Sequence, residues 1–154
     1  MISQAPPRPG SRILALDFGK RRVGVAVSDP LHLIAHGRDT LLYRSKEELF
    51  QQLEKLIREE QVSQIVVGMP HNMDGSLGEM SKTVESFISH LQRRTQLPVM
   101  PWDERLSSKQ AERALMEMGV RQRQRRESVD QLAAIFILQS YLDSIASKSL
   151  DSNL

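Results

Sequence analysis

A run of four apolar residues that ends in a carboxylate constrains this chain more than any other feature. Ile13, Leu14, Ala15 and Leu16 are continuous, and Asp17 follows directly. A continuous apolar run of this kind reads as a strand buried on both faces. An acid at the head of such a strand is costly unless it is hydrogen-bonded, paired or metal-bound. No basic residue flanks Asp17 within the run. Gly19 and the triplet Lys20-Arg21-Arg22 then turn the chain into Val23-Gly24-Val25-Ala26-Val27, the second strand of a hairpin, closed by Asp29-Pro30.

The segments that follow alternate between amphipathic and apolar. A third strand is expected within Ala35 to Leu42, and a helix from Ser45 to about Glu60, with Ser45 and Glu48 at capping-box spacing and Leu49, Phe50, Leu53, Leu56 and Ile57 on one face. Gln64 to Gly68 reads as a buried strand, and the stretch from Pro70 to Gly78 as a loop dense in turn formers. A helix from about Leu77 to Thr95 and a strand from Leu97 to Trp102 follow. Ser107 with Gln110 opens another helix that Gly119 ends, an arginine-rich loop comes next, and Ser128 with Gln131 starts a final helix, apolar on nearly every side. This order predicts an α/β fold: a mixed five-stranded sheet with helices on both faces. Residues 1–11 read as a disordered N-terminal tail, 12–146 as a single domain and 147–154 as a flexible C-terminal tail.

Composition excludes several chemistries. The 154 residues suit one domain that buries about two-thirds of its unfolded surface. With no cysteine there is no disulfide, zinc-thiolate or thiol nucleophile, and the four histidines, His32, His36, His71 and His90, lack zinc-cluster spacing. Any metal should be oxygen-ligated. The first 11 residues hold three prolines and no apolar run, which reads as neither signal peptide nor membrane anchor and leaves a cytoplasmic protein as the expectation. Net charge is +2 and the pI about 9.1, so affinity for nucleic acid must come from local clusters. Two exist: Lys20, Arg21 and Arg22, and Arg121, Arg123, Arg125 and Arg126. A basic run taken alone is equally a solvated loop.

Acids stand where apolar elements end: Asp17 after the first strand, Asp103-Glu104 after the last, and Asp130 in the first turn of the final helix. Strand ends are where α/β sheets place ligand sites. Converging carboxylates repel one another, and a hard divalent cation resolves that repulsion. Ions held there would serve hydrolysis at a phosphodiester. Blander readings stand beside each acid: Asp130 favours a helix dipole, Asp103 or Glu104 pairs with Arg105, and Asp17 is a turn residue. Which of Asp103 and Glu104 is the ligand stays open.

Four ordered motifs now bear on identity: Leu16-Asp17-Phe18-Gly19 with Arg22-Val23-Gly24-Val25-Ala26, Val67-Gly68-Met69-Pro70 with Asp74-Gly75-Ser76, Asp103-Glu104-Arg105, and Val129-Asp130-Gln131-Leu132-Ala133-Ala134. In order and spacing they resemble the YqgF family of pre-16S rRNA nucleases, also described as Holliday junction resolvase-like, over residues 12–142. The resemblance implies an RNase H-like fold, 5′-end maturation of pre-16S rRNA and a site for Mg2+ or Mn2+. It carries catalytic and metal-binding roles onto Asp17, Glu104 and Asp130. Ser107-Ser108, His71 and Met80 depart from the family pattern without removing a carboxylate.

The expected partner is nucleic acid, pre-rRNA on the ribosome precursor or branched DNA, and no membrane. The protein is expected as a monomer or weak homodimer. The rival readings are a Holliday junction resolvase-like DNA endonuclease, a non-catalytic RNA-binding module and an actin-like nucleotide-binding domain. The last needs a second Asp-x-Gly loop, and Asp17-Phe18-Gly19 is the one such motif in the chain.

Overall fold

In the computed structural model, which describes residues 8–70, 78–103 and 122–152, the Ile13–Leu16 run lies at the centre of a sheet with every side chain fully buried. Five strands, β1 (Arg12–Phe18), β2 (Arg22–Ser28), β3 (Ala35–Leu42), β4 (Val62–Met69) and β5 (Val99–Asp103), stand in the order β3-β2-β1-β4-β5. β1 pairs antiparallel with β2 and parallel with β4, so the sheet is mixed, as expected. α1 (Lys46–Glu59) and α2 (Glu79–Thr95) cover one face, and α3 (Gln122–Ser152) covers the other.

Alternation along the strands assigns each residue a side. Leu14, Leu16, Val23, Val25, Val27, Ile65 and Val67 pack with Leu49, Phe50, Val84 and Phe87 of α1 and α2. Ile13, Ala15, Ala26 and Val66 pack instead with Ala134, Ile137, Leu138 and Leu142 of α3. The α1 start is capped as its spacing predicts: the Ser45 side chain accepts from the Glu48 N–H at 3.2 Å, and the Glu48 carboxylate accepts from the Arg44 N–H at 3.2 Å. Arg94 of α2 reaches back to Glu47 and Glu54 of α1 and fastens the pair.

Several boundaries differ from the sequence reading. α2 starts at Glu79 rather than Leu77, and β5 spans Val99–Asp103 rather than Leu97 to Trp102. The larger correction concerns the arginine segment, which is not a loop from Gln122 onward: α3 begins there and runs without a break through Ser128. Gln, Arg and Glu favour a helix almost as strongly as Leu, and no Gly or Pro interrupts 121–152, so a lack of apolar residues does not by itself mark a loop. The same helix continues to Ser152. The expected helix from Ser107, with Glu104, Arg121 and His71, lies outside the described residues. Among the described residues no helix is long and apolar enough to cross a membrane.

Small residues let α3 settle on the sheet. A Cβ built on Gly24 would fall inside the van der Waals shell of the Asp130 carbonyl oxygen, and one on Gly37 would lie 2.6 Å from the Gln131 Cγ. Gly24→Ala therefore meets backbone, whereas Gly37→Ala meets a side chain that can move. We expect Gly24→Ala to cost about 1–3 kcal/mol, a fall in Tm of roughly 3–10 °C, and Gly37→Ala to cost distinctly less. Thermal unfolding followed by circular dichroism checks the order.

Candidate active site

Asp17 is the next-to-last residue of β1, the strand flanked on both sides by hydrogen-bonded neighbours. It shares the parity of Ile13 and Ala15, so it belongs to the face that α3 covers. Directly opposite it on β2 stands Gly24. Because Gly24 has no side chain, the backbone of α3 at Asp130 rests against that position. One close approach thus brings Asp17 and Asp130, 113 residues apart in sequence, to the same face at the same level of the sheet.

Asp130 sits on the sheet-facing stripe of α3, one turn before Ala134, which is fully buried. It lies eight residues inside the helix, so the reading that it merely favours a helix dipole from the first turn is corrected. Its carboxylate accepts from the Arg22 guanidinium, an ion pair in which the two side chains are 33% and 22% exposed. Arg22 is therefore engaged beside the acids rather than standing free in a basic cluster. The neighbouring Gln131 donates to the Arg38 carbonyl at 3.0 Å and fixes this end of α3 against β3.

The β1–β2 turn is braced from β3's exit. Tyr43 donates its hydroxyl to the Gly19 carbonyl at 2.5 Å and its N–H to the Arg21 carbonyl at 3.1 Å. Burial pushes the Tyr43 phenol above its ordinary value, which keeps it a neutral donor. Lys20 and Arg21 remain exposed at the turn. Arg123, Arg125 and Arg126 fall in the first turns of α3, ahead of Asp130.

Asp103 does not join Asp17. It pairs in register with Met69, which packs with the α1/α2 cluster, so Asp103 belongs to the opposite face. Among the described residues no three potential ligands come together as a metal group, and Glu104 lies outside them. The oxygen donors of Asp17 and Asp130, in a chain without cysteine, fit a hard divalent cation and not a soft one. Sequence reasoning missed Gly24, Gln131 and the Arg22–Asp130 pair. The alternation Ala15, Gly24, Ala26 of small residues was the available signal, since it marks a face that a helix approaches closely.

The family described as RuvX, Holliday junction resolvase, matches residues 11–144. A relative from Halothermothrix orenii named "Putative pre-16S rRNA nuclease" is 45% identical over 132 residues, covering 86% of this chain and 94% of the relative. One of the same name from Agathobacter rectalis is 47% identical over 138 residues, covering 88% and 96%. Among solved structures, Thermus thermophilus RuvC in complex with a Holliday junction substrate matches with a TM-score of 0.55 at 17% identity, covering 89% of this chain and 96% of that one. RuvC of the same organism in a second structure matches with a TM-score of 0.53 at 15% identity, covering 88% and 96%. These likenesses establish the RNase H-like fold.

A partly exposed ion pair contributes about 0–1 kcal/mol. Arg22→Ala and Asp130→Asn should therefore each unfold in urea within about 1 kcal/mol of the parent. A larger loss would mean that the pair holds α3 on the sheet.

Proposed function

This chain belongs to the RuvX family, and from that premise we propose that it is a divalent-metal-dependent nuclease that hydrolyses phosphodiester bonds in 5′-end maturation of pre-16S rRNA. The observation that carries the reading is the meeting of Asp17 and Asp130 across Gly24 at the end of the central strand. The ribosomal substrate is favoured over a DNA junction because the relatives with that name share nearly half their residues with this chain over almost their full length.

We assign the metal to Asp17, Glu104 and Asp130. Asp103 is set aside because strand alternation gives it the wrong face, and Glu104 is the next position along. Bound Mg2+ or Mn2+, one ion or two, would supply an activated water and positive charge at the leaving oxygen. Asp17 gives the site its rigidity, since a central strand cannot shift without breaking two ladders. Arg22 holds the Asp130 carboxylate in one orientation and offsets part of the charge that the acids bring together. Lys20 and Arg21 on the turn, with Arg121, Arg123, Arg125 and Arg126 before Asp130, grip phosphates on either side of the cut. The working protein is cytoplasmic, a monomer or weak homodimer that meets its substrate on the ribosome precursor.

The test is cleavage by the purified protein of a pre-16S 5′-leader RNA, a DNA duplex and a four-way DNA junction, each with Mg2+, Mn2+ or chelator. The leader RNA should be cut only with metal, and Asp17→Asn should lower the rate by about 1,000-fold or more, because several kcal/mol of charge stabilisation is lost. Metal-dependent cleavage that survives in Asp17→Asn would remove Asp17 from the site. Cleavage confined to the junction would move the assignment to a DNA resolvase.

A further inference from the structure

On the side of the sheet away from Asp17 and Asp130, a cavity of about 330 Å³ opens beside Phe18. Its floor is aromatic. Phe18 and Phe87 stack with ring centroids 4.3 Å apart and planes at 22°, and Phe87 lies 5.9 Å from Phe50 at 19°. Lys46, the first residue of α1, and Lys82 of α2 are exposed at the rim, where Thr83 and Ser86 add hydroxyls. No acid lines it. Phe50 and Phe87 are buried as core residues, whereas Phe18 is half-buried at the end of its strand.

We propose that this cavity is a nucleobase subsite, which takes one unstacked base of the strand whose phosphate lies at Asp17; the proposal rests on the nuclease reading above. Position argues for it first. Asp17 and Phe18 are consecutive, their Cα atoms about 3.8 Å apart, and they belong to opposite faces of the sheet. A strand crossing the end of β1 meets an acidic face and an aromatic face within the span of a nucleotide.

Chemistry argues for it second. Aromatic faces stack any base, while lysines act as point charges for the flanking phosphates. Size argues for it third: a volume at the small end of ligand sites suits one flat heterocycle and not a stacked duplex. The substrate class follows, a strand with an unpaired nucleotide beside the scissile bond, since a base still in its helix cannot enter.

The experiment compares equilibrium binding, by fluorescence anisotropy in chelator, of a twelve-nucleotide single-stranded RNA and an abasic chain carrying the same phosphates. The full-length protein should bind the RNA about 5- to 150-fold more tightly, the range for one stacked base. Phe18→Leu should bring that ratio towards 1 without altering the salt dependence. Because Phe18 also touches the core, a second variant is needed: Lys46→Ala with Lys82→Ala, both on the surface, should keep the ratio and flatten the salt slope by about 1.4. A ratio near 1 for the parent, a ratio unchanged in Phe18→Leu, or a slope unchanged in the lysine variant would each overturn the subsite. A parent protein that binds neither chain would overturn the nuclease reading beneath it.

Discussion

The approach of α3 to β2 at Gly24 is the contact on which the rest of this molecule depends. A helix normally stands off a sheet by the depth of its side chains, and here that depth is removed at one point. With no Cβ on Gly24 the Asp130 backbone rests on the strand itself, and Ala26 and Ala134 continue the same narrow seat. The consequence is positional: a helix set further out would carry Asp130 away from β1, and a carboxylate pair would become two isolated acids. Interiors packed at crystal-like density transmit such shifts rather than absorb them.

Electrostatics then decides what the meeting place can hold. Two acids on one face repel each other, and Arg22 offsets part of that cost from the same face of β2. Its neighbours in sequence differ: Lys20 and Arg21 are exposed at a turn that Tyr43 holds in shape. A basic triplet that looks uniform in sequence therefore divides into one residue that steadies an acid and two that face solvent. The last two residues of β1 divide in a similar way, with Asp17 towards α3 and Phe18 towards α1 and α2.

Much of the fold was legible because it rests on local patterns. The Ile13–Leu16 run, the valine-rich hairpin and the Ser45 cap each state their structure within a few residues, and β3 and α1 fall where periodicity puts them. Asp17 was legible for the same reason, as a charge that its strand could not leave unsatisfied. What stayed hidden is non-local. Nothing near Arg22 announces a partner 108 residues away, and Gly24 in a strand reads as a weakness until a helix is seen to lie on it. The start of α3 was misplaced for a third reason: apolar periodicity detects only the buried side of a helix, and residues 122–128 offer none.

The central claim is that Asp17 and Asp130 are ligands to one divalent-metal site, and crystals soaked in Mn2+ and measured at a wavelength where manganese scatters anomalously address it directly. The account predicts an anomalous peak on the α3 face beside Gly24, with a carboxylate oxygen from each of the two residues at about 2.0–2.3 Å. Manganese bound elsewhere on the protein, with both carboxylates unligated, would contradict it.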